Sequence, residues 1–203
     1  MSPEEQKRIS RHEAGHAVVA IHEGFQILGI RITAAGGSAD SDARLSGAPI
    51  LEYATRRLRV LLGGVVAQCL DAPEGCERCV CTAVETHEAK SDWEKAQEVL
   101  RFVAHGRSLE RTNRTFDLDE ECRRLSQQHF ADAGAILNAN RSALEELASI
   151  ILKDIRRSTR GPRREASVEW EANIPASAIR NVLGKVKKVP LNSANDLPIK
   201  VVN

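Results

Sequence analysis

His12-Glu13-Ala14-Gly15-His16 is the segment best equipped for chemistry. Two histidines four residues apart on a helix are rotated by about 400°, so they share a face about one turn apart. Two imidazole nitrogens placed that way can reach one metal ion at about 2.0–2.1 Å. Glu13 is offset by about 100° around the same helix. Its carboxylate is badly placed as a third ligand and well placed beside a water held on the metal. Zinc lowers the pKa of such a water from about 15.7 to about 7. A neighbouring carboxylate can then take the proton and deliver it to a leaving amine. This is the logic of the H-E-x-x-H pattern, and it predicts a zinc hydrolase with His12 and His16 as ligands and Glu13 as general base. The residues alone leave the third ligand open. Asp92 lies in an acidic helix start downstream, and Glu85, His87, Glu88 and Glu94 compete with it.

The motif needs a helix, and the flanking residues supply one. Ser2-Pro3-Glu4-Glu5 provides a cap, a proline in the first turn and acids at the positive dipole end; Gly24 provides a stop. Ala14-Gly15 lets another element approach closely, and glycine inside a helix costs about 1 kcal/mol that such contact must offset. Residues 26–33 read as a strand and 34–42 as a Gly/Ser/Asp-rich loop, with a short return strand over 43–46. Apolar spacing predicts helices over about 49–70, 92–105, 117–138, 140–156 and 175–187. Ser91 with Glu94 three residues on forms a capping-box pattern before the second of these. The fold expected is mainly α, with a small β-sheet next to the H-E-x-x-H helix.

Bulk properties narrow the class. The chain has 203 residues, is 42% hydrophobic and carries a formal net charge of +1. A buried core is therefore expected, and no global field favours nucleic acid. No apolar run reaches the roughly 18 residues of a membrane span. Met1 to Arg11 lacks an apolar signal core. Five cysteines, three of them crowded at Cys76, Cys79 and Cys81, do not look like a secreted disulfide framework. A cytoplasmic location is expected.

The order of motifs resembles a known family. HEAGHAVVAIHEG, a strand, LLGGVVAQCL, then SDWEKAQEVL resemble the proteolytic domain of the FtsH zinc metallopeptidases, and ILNANRSALEELASIIL is similar to that family's final helices. The resemblance spans about residues 6–155. It implies that His12 and His16 bind one catalytic zinc, that Glu13 is the base and that Asp92 is the third ligand. It also implies that the strand containing Ile30, Arg31 and Ile32 is an edge strand pairing with an extended peptide substrate, since an open edge offers main-chain hydrogen bonds to any sequence.

Two features depart from that family. No G-x-x-x-x-G-K-[ST] occurs, and no membrane anchor is visible. The expectation is an ATP-independent endopeptidase acting on peptides or unfolded segments, as a homo-oligomer or with a separate ATPase partner. The alternative is a non-catalytic peptide-binding relative. The second feature is Cys76-x-x-Cys79-x-Cys81, half of a structural zinc site that would need a further ligand such as Cys69 or His87. Two regions are expected: 1–157 as the peptidase domain, and 158–203 as a basic connection, an amphipathic helix and a tail packed on or trailing from it.

Overall fold

The computed structural model describes residues 1–33, 36–42, 47–71, 87–109, 117–160 and 167–191. It is mainly helical, with a small antiparallel sheet. Helix α1 (Pro3–Glu23) begins at a full capping box: the Ser2 hydroxyl accepts from Glu5 N–H, and the Glu5 carboxylate accepts from Ser2 N–H. It ends at Gly24, whose φ of 93° is open to glycine at no steric cost. Every residue from His12 to Ala20 is buried. Such all-round burial marks a central helix rather than a surface one.

The elements around it are strands β1 (Gln26–Thr33) and β2 (Gly36–Asp42), helices α2 (Ile50–Cys69), α3 (His87–Leu109), α4 (Leu118–Ala139) and α5 (Arg141–Asp154), strands β3 (Arg156–Arg160) and β4 (Ser167–Pro175), and helix α6 (Ala176–Leu183). α2, α4, α5 and the sheet pack on α1. One core joins Ile9 and Val18 of α1 with Ile30 of β1, Ile136 of α4 and Leu144 of α5. Among the described residues, no helix is long and apolar enough to cross a membrane.

The sheet has the order β2-β1-β4-β3. β1 pairs antiparallel with β2 on one side and with β4 on the other. The register shifts between Ile27 and Gly29. Such a bulge changes which side chains face inward. Ile27, Ile30 and Ile32 are therefore buried, while Leu28 is turned out to 54% exposure.

Several expected boundaries move. Residues 36–42, read as loop, form β2; its polar sequence has low strand propensity, and main-chain pairing with β1 overrides that. α3 starts at His87, so Ser91 lies inside it and is no cap. The basic stretch expected as a connection begins as β3, paired with β4. Beyond residue 157 the chain stays in the same core: Ile174 pairs with Ile30, and Ile179, Val182 and Leu183 pack in the cluster that holds Ile9. Asn140 ties this end down, accepting from Lys187 N–H at 2.6 Å and donating to Lys187 O at 3.1 Å. The proposed return strand over 43–46, the cysteine cluster and the tail from 192 lie outside the described residues.

Candidate metal centre

The site is built where α1 and α2 nearly touch. A Cβ added at Gly15 would stand 2.6 Å from Ala67 Cβ and run into the carbonyl of Gly63. One added at Gly63 would stand 2.9 Å from Val19 Cγ2. These backbones therefore approach more closely than side chains would allow. The crossing delivers two things to the histidines. The Val60 carbonyl accepts from His16 Nδ1 at 2.7 Å. Gly64 lies under both rings: a Cβ there would be 2.6 Å from His12 Nε2 and 2.6 Å from His16 Nε2. The space in front of those nitrogens exists because residue 64 has no side chain.

α3 supplies the third group from its second turn. Asp92 Oδ2 is 3.1 Å from His12 Nε2 and 2.9 Å from His16 Nε2, and the two Nε2 atoms are 2.9 Å apart. The rings meet edge-on, with centroids 4.6 Å apart. Both histidines are buried; the Asp92 side chain is 20% exposed. Donor atoms around a tetrahedral zinc with bonds of 2.0–2.1 Å lie about 3.3 Å apart. The three atoms here form a slightly contracted version of that triangle. Among the described residues this is the one cluster of three with metal-ligating geometry.

The donor set also fits by its electronics. With Nδ1–H of a neutral His16 given to Val60, its Nε2 presents a lone pair. That lone pair faces a carboxylate oxygen and a second imidazole nitrogen. Such a trio is stable only with a proton or a cation among its members. The protein groups alone express the same preference. Burial raises the Asp92 carboxyl, but the hydrogen bonds and positive charge of His12 and His16 hold it well below the usual carboxylate range. Burial lowers His16, and the Asp92 hydrogen bond, the charges of Asp92 and Glu13 and the Val60 carbonyl together push it up to about 8.

Glu13 is 2% exposed. Its carboxylate lies against Gly37 of β2, where a Cβ would collide with it. Glu13, His16 and Asp92 all line a cleft of about 310 Å³ that passes along β2 and is bordered by Arg57 of α2 and Lys95 of α3. Lys95 Nζ sits 3.7 Å from Asp92 Oδ1. A scan of protein-family models finds no match to the chain, and a search of curated proteins finds none.

The other expected site residues fare differently. Ile30, Arg31 and Ile32 are not on an edge. They face Ala39, Ser38 and Gly37 of β2 across one side, and Ile174, Asn173 and Ala172 of β4 across the other. Among the described residues, the unpaired edge beside the metal cluster belongs to β2. Cys76, Cys79, Cys81 and Glu85 lie outside the described residues. Glu94 is exposed and outside the cluster. Burial pushes the thiols of Cys69 and Cys122 up.

Three contributors escaped the sequence reading: the Val60 carbonyl, Gly64 and Gly37. Gly63-Gly64 inside an apolar helix was the available signal, since paired glycines there call for a close neighbour. A buried ionic chain also went unread. His22 Nδ1 is 3.3 Å from Glu23 Oε1, Arg59 grips both Glu23 oxygens at 2.8 Å and reaches Asp132 at 3.6 Å, and Asp132 is 3.2 Å from His129 Nδ1. It binds α1, α2 and α4 together away from the metal cluster. Burial raises the Glu23 carboxyl, and His22 and Arg59 together bring it down to about 2.

Proposed function

We propose that the chain is a zinc-dependent peptidase cleaving peptides or unfolded protein segments without ATP. The observation that carries this is the His12–His16–Asp92 triangle with Glu13 on the same cleft, beside an open strand edge. His12 and His16 would hold the ion through Nε2 and Asp92 through Oδ2. Bound there, zinc supplies a Lewis acid that polarises the scissile carbonyl and acidifies water. Val60 keeps the His16 ring in the ligating tautomer and orientation. Gly64 keeps the coordination space open.

Glu13 performs the proton work. Its carboxylate accepts a proton from the attacking water, holds it, and passes it to the nitrogen of the leaving amine as the C–N bond breaks. Gly37 gives that carboxylate room to lie at the cleft wall. The free edge of β2 would align an extended peptide by main-chain hydrogen bonds, which suits a substrate read by conformation more than by sequence. Most of the main chain of a folded protein is already paired, so unfolded segments are the fitting class.

The test is Glu13→Gln, a nearly isosteric change that removes the base. The variant retains zinc by metal analysis and loses casein cleavage. Cleavage at the parent rate by a zinc-loaded Glu13→Gln protein defeats the proposal.

A further inference from the structure

Arg57 borders the metal cleft and also borders a second hollow of about 340 Å³, walled by Ile50, Tyr53, Val99 and Phe102, with Glu98 also in its lining. Ile50 is 65% and Phe102 49% exposed, and they are two of four exposed large hydrophobics among the described residues. Paired apolar exposure on the wall of a concavity calls for an occupant.

The spacing makes one track of the two hollows. On α3, Asp92, Lys95, Val99 and Phe102 recur at helical intervals and form a single stripe. On α2, Val60, Arg57, Tyr53 and Ile50 form the facing stripe, running the opposite way. From Asp92 to Phe102 the helix advances about 15 Å. An extended peptide covers that in four to five residues, at about 3.3 Å each. β2 leads in the same direction: Gly37 lies over Glu13, and Ser41 Oγ is 3.5 Å from the Arg57 guanidinium. Arg57 forms no ion pair among the described residues, so its charge stays available to a ligand at the junction.

We propose that the Ile50–Tyr53–Val99–Phe102 hollow is a substrate subsite. It takes a large apolar side chain about four residues from the scissile bond, and Arg57 pairs an acidic side chain lying between the two. This rests on the peptidase reading and adds a sequence preference to it. The occupant is the substrate chain itself, because the same faces of α2 and α3 line the hollow and the metal cleft, and the Arg57 cation lines both.

The experiment measures binding, so it does not depend on turnover. Zinc-loaded Glu13→Gln protein is titrated against fluorescein-labelled Ala/Ser peptides by anisotropy. One peptide carries a Phe and a nearby Asp, one has Ser in place of that Phe, and one has Lys in place of that Asp. The Phe/Asp peptide binds about tenfold tighter than the Ser peptide and about threefold tighter than the Lys peptide. In Phe102→Ser and Val99→Ser backgrounds the Phe preference falls to about one; circular dichroism checks that both variants are folded. Equal binding of the Phe and Ser peptides overturns the subsite. So does a Phe preference that survives both substitutions, or light scattering that shows Phe102→Ser splitting a dimer, which makes the hollow a subunit interface. Cleavage by the parent protein separates the two readings. Phe preference without Glu13-dependent cleavage supports the subsite and defeats the peptidase; Glu13-dependent cleavage without Phe preference does the reverse.

Discussion

Gly64→Ala adds one methyl group directly against the rings of His12 and His16. The new Cβ would stand 2.6 Å from both histidine Nε2 atoms, about 0.8 Å short of ordinary contact at 3.4 Å. The rings have little room to retreat: His12 is 0% and His16 7% exposed, and His16 is anchored to Val60. Two effects on folding oppose each other. Alanine in a helix interior gains about 1 kcal/mol over glycine. Overpacking costs about 1–3 kcal/mol. Stability should therefore fall by at most about 2 kcal/mol, a melting shift of a few degrees. Zinc affinity has no such offset. Disturbing the orientation of ligands costs about 10–100-fold even when no ligand is lost, and here two are displaced together, so a loss of at least about 100-fold is expected. Gly134→Ala is the matched control in α4, because its Cβ meets only Val66 Cγ1, at an ordinary 3.9 Å. That variant should keep full zinc affinity and gain up to about 1 kcal/mol. Affinity is read by competition with a chromophoric chelator, and stability by thermal melting. If Gly64→Ala binds zinc within about threefold of the parent, the nitrogens do not face residue 64 in the loaded protein, and the donor triangle is wrongly drawn.

Three further outcomes follow from the same geometry. Asp92→Ala abolishes the zinc measured by elemental analysis, while Cys79→Ser leaves one equivalent in place; the reverse pattern would move the metal to the cysteine cluster. Zinc affinity rises with pH up to about 8, since His16 must shed the proton it holds until then. Below that the affinity falls by up to about tenfold per pH unit, and a pH-independent titration would contradict the raised His16. Glu23→Gln removes the acid that Arg59 grips. With its carboxyl brought from 4.5 to about 2, Glu23 contributes about 3 kcal/mol. A lowered carboxyl stabilises above its unfolded pKa, so the gap between parent and variant is full above about pH 4.5 and closes as pH falls towards 2. Urea midpoints across that range test it, and a gap unchanged at low pH would refute it.

What the sequence made legible was local. α1 could be drawn almost to the residue, because its capping box, its H-E-x-x-H spacing and Gly24 act within a few positions of one another. Asp92 could be ranked only by the resemblance. Its distance from the histidines is fixed by how α3 leans on α2, which no spacing within α3 encodes. β2 was hidden for a different reason. Gly-Gly-Ser-Ala-Asp-Ser-Asp has no apolar alternation, and its strand state comes from β1 alongside.

The status of β1 is the instructive failure. Being an edge is a property of strand order, so a strand cannot reveal it alone. The missing information lay at the far end of the chain, where Val168, Trp170, Ala172 and Ile174 alternate with a period of two. The basic run ahead of them reads as a linker and draws attention away. Once β4 is paired to β1, the free edge among the described residues moves outward by one strand, to β2. That shift strengthens the chemistry. A peptide paired to β1 would run one strand away from Glu13, whereas one paired to β2 passes Gly37, against which the Glu13 carboxylate rests. The Gly37-Ser38-Ala39 stretch beside Glu13 leaves the main chain as its chief recognition surface. A peptidase that takes unfolded chains needs that property most where the bond is cut.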